Sequence, residues 1–94
     1  MLLLMGRIAK RLFKIADQLK DLNEEHERVA AELEYHRLID DDAQRDAAVS
    51  GATSDRLEAS ATSKDVSRFE KRLREIAAQR EKLHIKRARL LDKL

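Results

Sequence analysis

The 94-residue chain has no cysteine, no proline and no tryptophan, only two glycines and three aromatic side chains. Each shortage removes a class of answer. Without cysteine there is no disulfide, no zinc–thiolate site and no thiol chemistry, and an intracellular home is the default expectation. Without proline the commonest helix breaker is missing. Gly6 and Gly51 are too few to build a phosphate-cradling loop. Phe13, Tyr35 and Phe69 are the only sources of large aromatic area, and thirteen of the apolar residues are alanine, so little material exists for a broad globular core. Long hydrophobic runs are absent too. Met1-Leu2-Leu3-Leu4-Met5 stops at Gly6-Arg7, short of the ~7–15 apolar residues of a secretory signal and of the ~20 of a membrane span. A soluble, cytoplasmic chain is the expectation.

What the sequence does have is charge, 40% of residues, and helical periodicity. Met5, Ile8, Leu12, Ile15, Leu19, Leu22, His26, Val29, Leu33 and His36 follow alternating steps of three and four, a heptad seam. Ala9, Ala16 and Ala30 widen it on one side. The next core position is Asp40, in Asp40-Asp41-Asp42, where the register is expected to break. A second seam runs through Val66, Phe69, Leu73, Ile76, Arg80, Leu83, Arg87, Leu90 and Leu94. Its arginines predict a helix rotated toward Ala77, His84 and Leu91, with the arginine stems lying along the apolar surface.

The expected fold is all-α: an antiparallel, coiled-coil-like helical hairpin, completed by a partner or by dimerisation into a helical bundle. Residues 1–46 form the first helix, 47–63 a hinge that can hold a short helix, and 64–94 the second helix. Gly51 suits a left-handed cap, while Asp55/Glu58 and Thr62/Asp65 resemble helix-start pairs. The bend therefore falls somewhere between 50 and 62. Net charge is +2, but it is sorted: residues 1–20 carry +4, 21–46 carry −7, 47–70 carry −1 and 71–94 carry +6. A bend near 51 gathers both basic ends together. A bend near 58 lays the acidic segment along the basic one, and this satisfies more charge.

Little here points to catalysis. His26-Glu27 opens like a zinc motif, but Ala30 stands where the second histidine belongs. Glu81 and His84 make one half of a di-iron pair without its complement. The serines, Ser50 to Ser67, lack a nucleophile context. No enzyme activity, cofactor or metal is therefore expected. His26 and His36 read as tolerated or partly exposed polar residues of the seam, a kind that can fix register or pairing, with a pH-dependent role as the sharper alternative.

Three surfaces remain. The seam residues Leu4, Ile8, Leu12, Ile15, Leu19, Leu22, Val29, Leu33, Phe69, Leu73, Ile76, Leu83 and Leu90 are expected to make helix–helix contacts, with a second copy or a different helical protein. Asp40, Asp41 and Asp42, with Asp46 and Asp55, would give the hairpin an acidic tip. In shape and acidic character this resembles the secondary-channel transcription factors of bacteria, whose coiled-coil finger carries carboxylates to a polymerase metal. Arg80, Lys86, Arg87 and Arg89 form a basic surface able to track phosphates. The expected function is a non-enzymatic helical interaction protein: an oligomerising adaptor, small regulatory subunit or assembly factor. The alternative is a regulator of transcription or nucleic-acid machinery that uses the basic arms and the acidic tip. The basic amphipathic segment 1–20 adds a third, peripheral contact with a membrane surface.

Overall fold

The computed structural model describes residues 2–94 and contains two helices, α1 over Leu2–Ser50 and α2 over Thr53–Leu91. The described residues hold no strand, and the two helices pack as an all-α hairpin. Only Gly51 and Ala52 separate the helices, so the 47–63 hinge contracts to two residues.

The turn works because Gly51 adopts φ 63°, the left-handed conformation in which a side chain would clash with its own backbone. Its N–H closes the last α1 hydrogen bond, on the Ala47 carbonyl at 3.0 Å. Ala52 then acts as the cap of α2, its carbonyl accepting from the Arg56 N–H at 3.0 Å. Ser50 ties the two ends together. Its hydroxyl accepts from the Ala52 N–H at 3.1 Å and donates to the Asp55 carboxylate. Asp55 thus lies inside the first turn of α2, where a negative charge suits the helix dipole, and Arg89 suits the last turn in the same way. Thr62 starts no helix. It sits in mid-α2, and its hydroxyl is used across the hairpin.

Two compact units divide the structure. Residues up to His26 together with Glu75–Leu94 form the open-end unit. Its core is Ile8, Ile15, Leu19 and Leu90, with Leu12 and Leu83 packed against them. Ile76, the most buried large side chain, belongs to the same unit. Arg80 occupies its seam position partly buried and donates from Nη1 to the Asn23 Oδ1 at 3.1 Å. Ala77, His84 and Leu91 are exposed, so the rotation expected of α2 does not occur: Asn23 gives the Arg80 head a partner without it. Ala16 is exposed as well.

The turn unit, Glu27–Arg74, buries Leu33, Ala43 and Ala59. Here the α1 seam does not break at Asp40; it runs on through Asp40, Ala43 and Ala47 in unbroken three–four steps. On α2 the same spacing extends backward from Val66 through Thr62 and Ala59. Small alanines replace the leucines of the other unit, which suits a close approach of the two backbones near a two-residue turn.

The bend at 51 selects the pairing that gathers both basic segments, not the pairing that satisfies more charge. Exposed ion pairs contribute ~0–1 kcal/mol each, too little to overrule the backbone geometry of the turn and the apolar register. The two glycines give a matched test by urea denaturation followed by circular dichroism. A methyl group at either meets open space, so only backbone conformation decides. Gly51→Ala is expected to destabilise by about 1–2 kcal/mol, whereas Gly6→Ala, inside α1, stabilises by up to ~1 kcal/mol. Ile76→Ala is expected to cost about 2–5 kcal/mol.

Candidate functional site

Placed on the fold, the predicted contact seam turns inward. Ile8, Ile15, Leu19, Leu33, Ile76 and Leu90 are buried, and Leu12, Leu22, Val29, Phe69, Leu73 and Leu83 are partly buried. These residues hold α1 and α2 together. Leu4 stands exposed, as do Met5, Arg87 and Leu94 on the two heptad seams. The cause is simple: each helix of a hairpin has one apolar stripe, and its own neighbour covers it.

The acidic cluster also changes place. Asp42 precedes Gly51 by more than two helical turns, so the three aspartates lie along α1 and not at the tip. Asp40 faces α2, while Asp41 and Asp42 face solvent, Asp42 pairing with Arg45. Around Asp40 a small polar clasp joins the helices. Gln44 Nε2 donates to Asp40 Oδ1 at 3.0 Å and to the Ala59 carbonyl at 2.9 Å, and the Thr62 hydroxyl donates to the same Oδ1 at 2.8 Å. The Gln44 amide, and after it the Thr62 hydroxyl, hold the Asp40 carboxyl below its usual value, against a smaller opposing effect of burial.

A second polar feature lies one turn earlier on α1. The His36 ring stacks on Phe69, centroids 4.7 Å apart, and meets the edge of Tyr35 at 5.6 Å. Glu32 approaches its Nε2 to 3.8 Å. His36 therefore fills a seam position with a flat surface that Phe69 can match. Nearby, Arg37 bridges to Glu70 of the opposite helix at 3.6 Å.

The predicted basic residues divide as well. Arg80 is engaged with Asn23, while Lys86, Arg87 and Arg89 are exposed, Arg87 donating to His84 Nδ1 at 3.0 Å. They share the open-end unit with Arg7, Lys10, Arg11 and Lys14, all exposed. Among the described residues no group of three or more His, Asp or Glu is arranged to hold a metal ion. No described helix is long and apolar enough to cross a membrane.

Large apolar side chains that the seam does not use are the notable surface feature. Tyr35 and Leu38 are 61% and 63% exposed, less than one turn apart on the outer side of α1 and preceded by the exposed Ala31. Their i, i+4, i+7 spacing off the seam was the available signal, hidden in the sequence by the stronger heptad beside it. Leu2, Leu3, Leu4, Met5, Phe13, Leu91 and Leu94 are exposed in the open-end unit.

Searches against protein-family models, curated proteins and solved structures found no match to this chain.

The clasp makes a pH prediction. A lowered folded value means that Asp40 contributes stability in full above its unfolded value of about 3.9, and that the contribution is lost as pH falls through the lower folded value. Urea denaturation should therefore show a gap between wild type and Asp40→Ala at neutral pH that closes in strong acid. Gln44→Ala should narrow the gap over the same range. A gap as wide in strong acid as at pH 7 contradicts the assignment.

Proposed function

We propose that this chain is a non-enzymatic helical interaction protein, an oligomerising adaptor, small regulatory subunit or assembly factor, that receives another helix on the outer face of α1. The reading rests on one observation: Tyr35 and Leu38 stand exposed on a short apolar stripe, while the main seams are consumed inside the hairpin. Large apolar side chains in water represent unused binding energy. Full burial of one stabilises by roughly 1.5–3 kcal/mol, and tyrosine is favoured at interfaces because its body is apolar and its hydroxyl is not.

A stripe at i, i+4, i+7 matches the way one helix face meets another. Its flanks favour a particular partner. Glu27, Glu34, Asp41 and Asp42 are exposed around it, against Arg28 and Arg45. The excess of carboxylates selects a helix that carries an apolar stripe with basic neighbours, and charges of this kind govern orientation and encounter more than affinity.

A homotypic assembly is tested by light scattering on the full chain. Wild type is expected above the 10.9 kDa monomer mass, and Tyr35→Ser/Leu38→Glu at the monomer mass with an unchanged melting temperature. Equal masses for the two chains reject a second copy of this chain as the helix that occupies the stripe. Ile15→Glu is a different kind of variant: it is expected to unfold the hairpin, since Ile15 is core.

A further inference from the structure

The open-end unit carries a feature that a helix-docking stripe does not explain. Leu2, Leu3, Leu4 and Met5 are consecutive, helical and exposed, from 86% at Leu2 to 52% at Met5. At about 100° per residue, four consecutive side chains span roughly 300° of the helix circumference. One partner helix covers a stripe of little more than 100°, so it leaves most of this apolar turn in water. The matching environment is one that surrounds the turn.

A collar of positive charge follows directly. Arg7, Lys10, Arg11 and Lys14 occupy the next turns of α1 and are exposed. The end of α2 adds to it. Leu90 packs with Ile8 and Ile15, and beyond it Leu91 and Leu94 are exposed, with Lys86, Arg87, Arg89 and Lys93 around them. Residues 2–20 and 83–94 together hold nine basic side chains against Asp17 and Asp92. The turn at Gly51 is what gathers them, because it closes the hairpin with both basic segments in one unit.

We propose that this end of the hairpin binds the surface of a bilayer containing anionic lipids, seating Leu2–Met5 with Leu91 and Leu94 at the boundary between headgroups and acyl chains. The dimensions agree. Leu2 to Arg7 spans five residues, ~7–8 Å along the helix, and an interfacial segment buries its apolar side ~5–10 Å deep. That depth leaves the arginine and lysine heads at the phosphates. This site is separate from the Tyr35/Leu38 stripe, so either can fail alone.

Co-sedimentation of the full chain with phosphatidylcholine vesicles, with and without phosphatidylglycerol, tests the proposal. The chain is expected to sediment with the anionic vesicles only, and less as salt is raised. Lys10→Glu/Lys14→Glu should weaken binding by at least ~25-fold, and Leu3→Ser/Leu4→Ser by at least ~10-fold. All four positions are exposed, so an unchanged melting temperature certifies the fold of each variant. The chain has no tryptophan, which makes Leu3→Trp a single reporter whose emission should shift to the blue on anionic vesicles. Absence of sedimentation overturns the proposal. So does sedimentation that depends on the lysines but not on the leucines, the behaviour of a surface for polyanions such as nucleic acid. A loss of oligomer mass in Leu3→Ser/Leu4→Ser without any lipid binding by wild type assigns the turn to a second copy instead, and also overturns it.

Discussion

The left-handed conformation of Gly51 ends α1 and lets α2 begin two residues later, and the side chains of both helices inherit their neighbours from that closure. A turn this short leaves no freedom to slide one helix along the other. In the turn unit it sets Asp40 opposite Thr62 and Gln44 against the Ala59 carbonyl. In the open-end unit Asn23 meets Arg80, and Leu90 meets Ile8 and Ile15. The alanines at 43 and 59 fit beside the turn because a larger side chain there would hold the backbones apart.

Register then decides which chemistry is inside and which is outside. Each helix has one strong apolar stripe, and the hairpin uses both, so the residues that look most like a binding face become core. The apolar side chains left exposed lie off the buried stripes: Tyr35, Leu38, Val49 and Leu57 in the turn unit, and Leu2–Met5 with its basic collar among those of the open-end unit. The charge pattern follows the same logic. Individual surface ion pairs are small contributions, so the basic ends lie together although a later bend would have matched the C-terminal one with acids.

Much of the fold was legible in the residues. Alternating three–four steps of Ile, Leu and Val named two helices, and Gly51 after Ser50 named a helix end. Other features were not. Asp40 looked like a break because a carboxylate on a seam is costly without partners; its partners Thr62 and Gln44 become visible only once α2 lies alongside. Thr62 followed by Asp65 looked like a helix start because a threonine hydroxyl serves a cap and a cross-helix bond equally well. Arg80 looked like a reason to rotate α2, until Asn23 supplied an acceptor. Tyr35 and Leu38 were overlooked because neither belongs to the heptad.

By itself the sequence determined that this chain is helical, that its apolar residues fall on two heptad seams and that its charge is sorted into blocks. These are properties of spacing and composition, and they hold whichever way the helices meet. Tertiary structure decided the rest: the position of the turn among several acceptable signals, the burial of the seams, the inward aim of Asp40 and the gathering of the basic ends. Those depend on which residues become neighbours across the hairpin. That choice rests on one backbone conformation at Gly51 and on the summed packing of both seams, neither of which a local run of residues contains.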